Sequence, residues 1–190
     1  MAAVAIVPAA GKAERFGSPK LVADLKGEPL IDWTLSSLLD GGVARIVVVT
    51  GSDSDLSKSK RLKDSRVTVV INPDPSRGML SSIQAGLATM EDGDPILFLP
   101  ADMPFVLSRT VAEIVNASMS RQRLIVPVHQ DRRGHPIAMP SAMRGGVLAA
   151  SPTSSLKEVL APFRALGDEL PVGDPGILRD VDVRGDLIAF

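Results

Sequence analysis

The chain has 190 residues, 45% of them hydrophobic and 23% charged, which suits one soluble globular domain, residues 1–190, with a sizeable core. A net charge of −1 leaves no global basic field for nucleic acid or an anionic membrane, so any attraction for phosphate has to be local. The lack of cysteine excludes disulfides, thiolate metal sites and a cysteine nucleophile. The start lacks the basic region of a signal peptide, and no apolar run approaches the ~20 residues that span a bilayer, so a cytoplasmic location is expected.

Val4-Ala5-Ile6-Val7-Pro8 is small, apolar and partly β-branched, as in a buried parallel strand. The loop that follows, from Ala9 and Ala10 to Leu21, holds Gly11, Gly17 and two spaced cations, Arg15 and Lys20. Glycine lets backbone approach a ligand closely, turn amides can cradle phosphate, and the cations can neutralise it. Two familiar phosphate loops do not fit. A Walker A loop has four residues between its glycines and Lys directly after the second, whereas five separate Gly11 from Gly17 and Lys20 comes three later. The dinucleotide fingerprint fails at Ala13 and Phe16. A nucleoside-triphosphate loop at the carboxyl end of strand one is expected, against the plainer alternative of a glycine-rich turn with solvated charges.

Pro29 to Leu39 reads as a helix with Pro29 at its first position, Ile31, Leu35, Leu38 and Leu39 on one face, and Gly41-Gly42 ending it. Trp33 reads as a packing residue. Arg45–Thr50 is a second buried strand, Ser52–Lys63 a solvated, charge-rich helix, and Val67–Ile71 a third strand. Asn72 to Ser82 contains two prolines and a glycine, which predicts an extended, helix-free loop. A helix follows with Leu80, Ile83, Leu87 and Met90 on one face, and Ser81 and Gln84 at capping-box spacing. Pro95–Leu99 is apolar throughout and reads as a central strand. Strands alternating with helices predict a mainly parallel sheet with right-handed crossovers.

Asp102 stands directly beyond that central strand, where open α/β sheets bind ligands, although a turn aspartate bonded to its own backbone fits as well. Ser108 can cap a helix carrying Val111, Ile114 and Val115. Leu124–Val128 is a fifth strand. His129 to Pro140 reads as a hairpin-like excursion with a basic tip and a returning strand, and its two histidines have no cysteine to support a zinc reading. Beyond Pro140 a short helix from Ser141 to Ala150 is expected to break at Gly145-Gly146, and Ser155 and Glu158 have capping-box spacing.

Several of these runs resemble the MobA-like nucleotidyltransferases, in particular the molybdenum cofactor cytidylyltransferase branch. The matching residues are Ala9-Ala10-Gly11, Arg15-Phe16-Gly17, Pro19-Lys20-Leu21, Asn72-Pro73 with Gly78-Met79 and Ser81-Ser82, Asp102-Met103-Pro104 and Gly134-His135-Pro136. The closing run Asp180-Val181-Asp182 matches in part, with Val183-Arg184-Gly185 in place of the usual Thr-Pro-Glu, and an Asp-Gly-Ala-Arg-like segment is missing. The resemblance implies a three-layer, Rossmann-like α/β fold that moves a nucleotide from an NTP to a phosphorylated acceptor with Mg²⁺. It further implies that Ala9, Ala10, Gly11, Arg15, Lys20, Gly78, Ser82 and Asp102 handle nucleotide. Ser82 reads equally as a plain helix start. Asp102 and Asp182 would hold metal, and Gly134, His135 and Pro136 would face the acceptor, for which molybdopterin is favoured. Arg15, Lys20 and Asp102 would carry catalysis by positioning and charge stabilisation, with no protein nucleophile. Ala9-Ala10-Gly11 resembles the cytidylyl branch, whereas guanylyl members tend to have Gly at the middle position, so the resemblance implies CTP over GTP, with a methyl group at Ala10 narrowing the base site as the physical rationale. Another small phosphate ester as acceptor, a non-catalytic nucleotide-binding protein and, least favoured, a nicotinamide dehydrogenase are the alternatives. No nucleic-acid or membrane partner is expected, and the sequence assigns no oligomeric state.

Overall fold

Three small or β-branched strands build the middle of the molecule. In the computed structural model, which describes residues 2–11, 16, 19–91, 93–151 and 153–187, β1 (Val4–Pro8) is paired in parallel on both sides, with β4 (Arg45–Gly51) and β6 (Ile96–Phe98). Two further strands, β2 (Asp24–Leu25) and β3 (Glu28–Pro29), form a small separate hairpin. β5 (Val67–Asn72) extends the main sheet beyond β4 in parallel. On the other side β9 (Ile137–Met139) runs antiparallel to β6 and to β7 (Ile125–His129), β8 (Arg132–Arg133) pairs antiparallel with β7, and β10 (Asp168–Pro171) pairs parallel with it. The order is β10-β7-β9-β6-β1-β4-β5. The sheet is therefore mixed and mostly parallel.

Alternate residues of β1 feed opposite faces, as the two-residue period of a strand requires. Ala5 and Val7 pack with Ile31, Leu35 and Leu38 of α1 (Leu30–Asp40) and with Val111 and Ile114 of α3 (Ser108–Arg121). Val4 and Ile6 pack with Leu80, Ile83 and Leu87 of α2 (Met79–Leu87), Val147 of α4 (Arg144–Ala149) and Leu160 of α5 (Leu156–Leu160). This is the expected three-layer, Rossmann-like arrangement. Among the described residues, no helix is long and apolar enough to cross a membrane.

Several local expectations are corrected. Ser52–Lys63 forms turns and one short 3₁₀ segment, Arg61–Lys63, not a helix. Its polar groups bond locally, Asp55 taking the Ser57 amide at 3.0 Å, and it is tied inward by Asp32, whose carboxylate accepts from the Ser59 hydroxyl and from the Lys60 amide at 3.0 Å. Such side chains compete with helix formation. Asn72–Ser82 is not free of helix: Pro75–Arg77 is a 3₁₀ turn and α2 begins at Met79. The Ser81–Gln84 capping box does not form. Ser81 donates to the Gly78 carbonyl at 2.7 Å, and the Gln84 amide donates to the Val147 and Ala150 carbonyls at 3.0 and 2.8 Å. Those bonds satisfy the end of α4, which runs unbroken through Gly145-Gly146 with Val147 buried. Tertiary packing has overridden weak helix propensity there. Pro29 is the N-cap of α1 rather than its first residue, and Ser108 is the first residue of α3 rather than its cap. The Ser155–Glu158 capping box is present.

Candidate functional site

β1 leads through α1 to β4 and on to β5, all to one side. β6 then returns to the other side of β1. The carboxyl ends of β1 and β6 therefore flank the point where strand order reverses, the place where doubly wound sheets leave a crevice for ligands. Both ends are pinned by backbone bonds. The Ala9 amide donates to Val49 O at 2.7 Å, Leu99 to Ile6 O at 3.2 Å and Ala101 to Pro8 O at 3.1 Å. The buried Thr34 hydroxyl donates to Ala101 O at 3.0 Å.

Three charged side chains from segments far apart in sequence meet beside this crevice. The Lys20 ammonium, at the start of a 3₁₀ turn (Lys20–Val22), lies 2.8 Å from Asp102 Oδ2 and 3.6 Å from Asp182 Oδ1. Exposure rises from Lys20 (13%) through Asp102 (25%) to Asp182 (60%), so the two carboxylates face outward around one inner cation. The chain carrying Asp182 is laid along the Asp102 turn by the Val181 amide, which donates to Asp102 O at 2.9 Å. Asp186 then accepts from the Asp182 and Val183 amides at 2.8 and 2.9 Å. These bonds hold the Asp186 carboxyl below its ordinary range.

His135 stands one turn before β9, which pairs with β6. Its amide donates to Ile177 O at 3.0 Å, its Nδ1 lies 3.4 Å from Phe98 O, and the His135–Pro136 bond is cis. Burial pushes its pKa below the ordinary 6.5, with the Phe98 carbonyl and the charges of Asp102 and Asp180 acting the other way. Gly134 cannot carry a side chain, because a Cβ would overlap the Ile177 carbonyl.

The second loop, residues 72–82, carries one exposed charged pair, Arg77 Nε lying 3.8 Å from Asp74 Oδ2, over an uncharged buried network. Asn72, 1% exposed, donates through Nδ2 to the Ser81 and Ser82 hydroxyls at 2.8 and 3.0 Å and accepts the Asp74 amide at 3.0 Å. Ser82 is itself 3% exposed. Gly78 has φ +99°, a conformation for which glycine is favoured. The structure thus brings Lys20, Asp102 and Asp182 together, sets His135 within electrostatic reach of Asp102, and turns Ser82 inward onto Asn72. Arg15 lies outside the described residues. Gly11 has open space where a side chain would be, and Ala9 is buried. Sequence reasoning gave no role to Asn72 or Asp174, although both are buried polar residues in otherwise loop-like runs. Among the described residues, no group of three or more His, Cys, Asp or Glu side chains is placed to hold a metal ion. His129 is occupied elsewhere, its Nδ1 lying 3.0 Å from Val172 O.

Fold and site together define a Rossmann-like α/β domain with charged and backbone-pinned loops at its switch point. A model described as the MobA-like NTP transferase domain matches residues 5–169, and the chain belongs to that family. It is 24% identical over 185 residues to the molybdenum cofactor cytidylyltransferase of Escherichia coli (strain K12), covering 96% of this chain and 92% of that one. It is 26% identical to the nicotine blue oxidoreductase of Paenarthrobacter nicotinovorans, covering 93% and 90%. Among solved structures, Rv0371c from Mycobacterium tuberculosis H37Rv superposes with a TM-score of 0.79 at 20% identity, covering 100% and 97% of the two chains. The complex of Rv0371c with manganese superposes at 0.68 and 19%, covering 90% and 89%.

Proposed function

We propose that residues 1–190 form one nucleotidyltransferase unit that moves CMP from CTP onto a small phosphorylated acceptor, with molybdopterin the favoured acceptor, and releases pyrophosphate. The observation that carries this reading is the convergence of Lys20, Asp102 and Asp182 at the switch point. A phosphate oxygen of the acceptor attacks the α-phosphorus of the nucleotide, and the bond to the pyrophosphate oxygen breaks. Such a reaction needs in-line placement and charge neutralisation rather than a protein nucleophile.

The donor set fits a hard divalent cation. Two carboxylates are held on backbones hydrogen-bonded to each other, and among the described residues the Lys20 ammonium is the cation that lies between them. Mg²⁺ takes few protein ligands and the rest from phosphate and water, so Asp102 and Asp182 suffice to hold it. Bound there, it would neutralise charge developing on the phosphate oxygens. Lys20, with Arg15 from the same loop, would hold the triphosphate and stabilise the leaving pyrophosphate. Ala9, Ala10, Gly11 and Gly78 would line the nucleotide, while Ser82, buried and bonded to Asn72, would serve it by holding the start of α2 in place. Gly134, His135 and Pro136 would face the acceptor.

An oxidoreductase reading has one observation in its favour, the relative from Paenarthrobacter nicotinovorans. Against it stand Ala13 and Phe16 where the dinucleotide fingerprint needs glycine. Pyrophosphate release separates the two. With Mg²⁺ and molybdopterin, kcat/KM should be higher for CTP than for GTP, and Ala10→Gly should narrow the ratio. Discrimination of ~1–3 kcal/mol is expected from a one-methyl difference in a pocket. No pyrophosphate with any NTP and acceptor would remove the transferase reading, and equal efficiency with GTP would remove the cytidylyl preference.

A further inference from the structure

Asp174 is a carboxylate only 1% exposed. A buried charge survives only when it is fully bonded. Its Oδ2 accepts from the Leu107 amide at 2.9 Å and the Thr110 hydroxyl at 2.8 Å, and its Oδ1 accepts from the Gly176 amide at 2.8 Å. Leu107 is the N-cap of α3 and has no polar side chain to serve that end, so the cap arrives from 67 residues away. An anion at a helix N-terminus is also favoured by the helix dipole.

The bond to Gly176 holds the 3₁₀ turn Pro175–Leu178, and that turn touches both halves of the site. Gly176 lies against the Phe105 carbonyl and Gly134 against the Ile177 carbonyl, each with no room for a Cβ. Ile177 O takes the His135 amide. Just beyond, the Arg179 guanidinium stacks 4.2 Å from the Phe105 ring centre, and Val181 bonds to Asp102 O. One carboxylate therefore joins the segment that follows Asp102, the turn that carries His135 and the chain that leads to Asp182.

We propose that Asp174 is a positioning residue that sets the His135 turn relative to the Lys20–Asp102–Asp182 cluster, and so sets acceptor against nucleotide. It acts through Gly176 and Ile177, not by touching substrate, and the inference rests on the nucleotidyltransferase reading of the site. A displacement of about 1 Å in a reacting pair costs about 10²-fold in rate, so the clamp matters beyond its share of stability. A cap that served stability alone would affect nucleotide and acceptor alike.

Asp174→Asn keeps the shape but turns one acceptor oxygen into a donor that must face an amide N–H. With CTP and Mg²⁺, and molybdopterin or 2-C-methyl-D-erythritol 4-phosphate as acceptor, kcat/KM for the acceptor should fall about 100-fold. The KM for CTP should stay within about threefold. Thr110→Val, which keeps Asp174 and removes one bond, should give the same pattern at about tenfold, and Thr110→Ser should restore wild-type values. The Thr110 pair keeps the test intact if the Asp174 variant folds poorly. Independently of turnover, hydrogen exchange at His135, Gly176 and Val181 should quicken in Thr110→Val while β4 and β5 stay unchanged. Equal losses for CTP and acceptor, no rescue by serine, or unaltered exchange would each overturn the positioning role. A wild-type protein without transfer activity would instead overturn the reading of the site, a result distinct from an active enzyme indifferent to Thr110→Val.

Discussion

The two loops that the fold brings to the carboxyl ends of its strands are built in opposite ways. The charged one draws Lys20, Asp102 and Asp182 from three distant segments, and its carboxylates face outward. The other spans only residues 72–82, where Asp74 and Arg77 pair with each other at the surface and Asn72, Ser81 and Ser82 satisfy one another inside it. Charge left facing outward is available to a ligand. Hydroxyls turned onto a buried amide hold shape. Substitutions in the first loop should therefore damage turnover with the fold intact, and substitutions in the second should damage stability first.

The largest effect is expected at Asp102. Asp102→Asn keeps the shape and loses the charge that would hold the cation, so metal-dependent turnover should fall by about 10²–10³ or more while the melting temperature holds. Asp182→Asn should act in the same direction and less strongly, since Asp182 is the more exposed carboxylate at 60%. Mn²⁺ binding, followed by its spin-resonance signal, reads the same loss without turnover. If both variants bind Mn²⁺ like wild type, the two-carboxylate site is wrong.

Next comes Lys20. Lys20→Ala removes one charge-assisted contact to phosphate, worth ~1.5–3 kcal/mol, so kcat/KM for the nucleotide should drop ten- to a hundredfold. Arg15→Ala should give a loss of the same order. Unchanged nucleotide affinity in both variants would refute the assignment of this loop.

The buried network of the second loop should show the opposite signature. Asn72→Ala leaves the buried Ser81 and Ser82 hydroxyls without their donor, at a cost of ~1–3 kcal/mol, seen as a lower denaturant midpoint. A variant as stable as wild type but inactive would erase the contrast between the loops.

The smallest effect is a pH dependence at His135. Burial holds its folded pKa below 6.5. Above the ordinary histidine value neither state is protonated and nothing is lost. As the pH falls through about 6.5, the unfolded chain takes up a proton that the folded chain refuses, so stability declines on the acid side. The decline should be shallower in His135→Gln, measured as melting temperature against pH. Identical slopes would contradict the buried, neutral ring.

The central strands, the apolar faces of α1 and α2, and the placement of Asp102 beyond a central strand were legible because each depends on local pattern. Val4–Pro8, Arg45–Gly51 and Val67–Asn72 all declare themselves by composition. The segment 52–63 misled because its charges look like a solvated helix, while the tie to Asp32 comes from another element. β10 was missed since Asp168-Glu169-Leu170-Pro171 has no apolar run and is ordered by pairing with β7. Gly145-Gly146 did not break α4, because Gln84 supplies from α2 the bonds that the end of that helix needs.

Sequence alone determined the alternation of strands and helices, the mainly parallel sheet and the residue types present at the ends of the strands. Periodicity and side-chain chemistry are local properties, and they survive without knowledge of distance. Only the tertiary structure decided which charges meet, that Ser82 turns inward, and that Asp174 caps a helix from 67 residues away. Those relations join residues far apart along the chain, and no spacing rule encodes them. They exist because the parallel crossovers carry distant segments to one edge of the sheet, where buried polar groups must find partners.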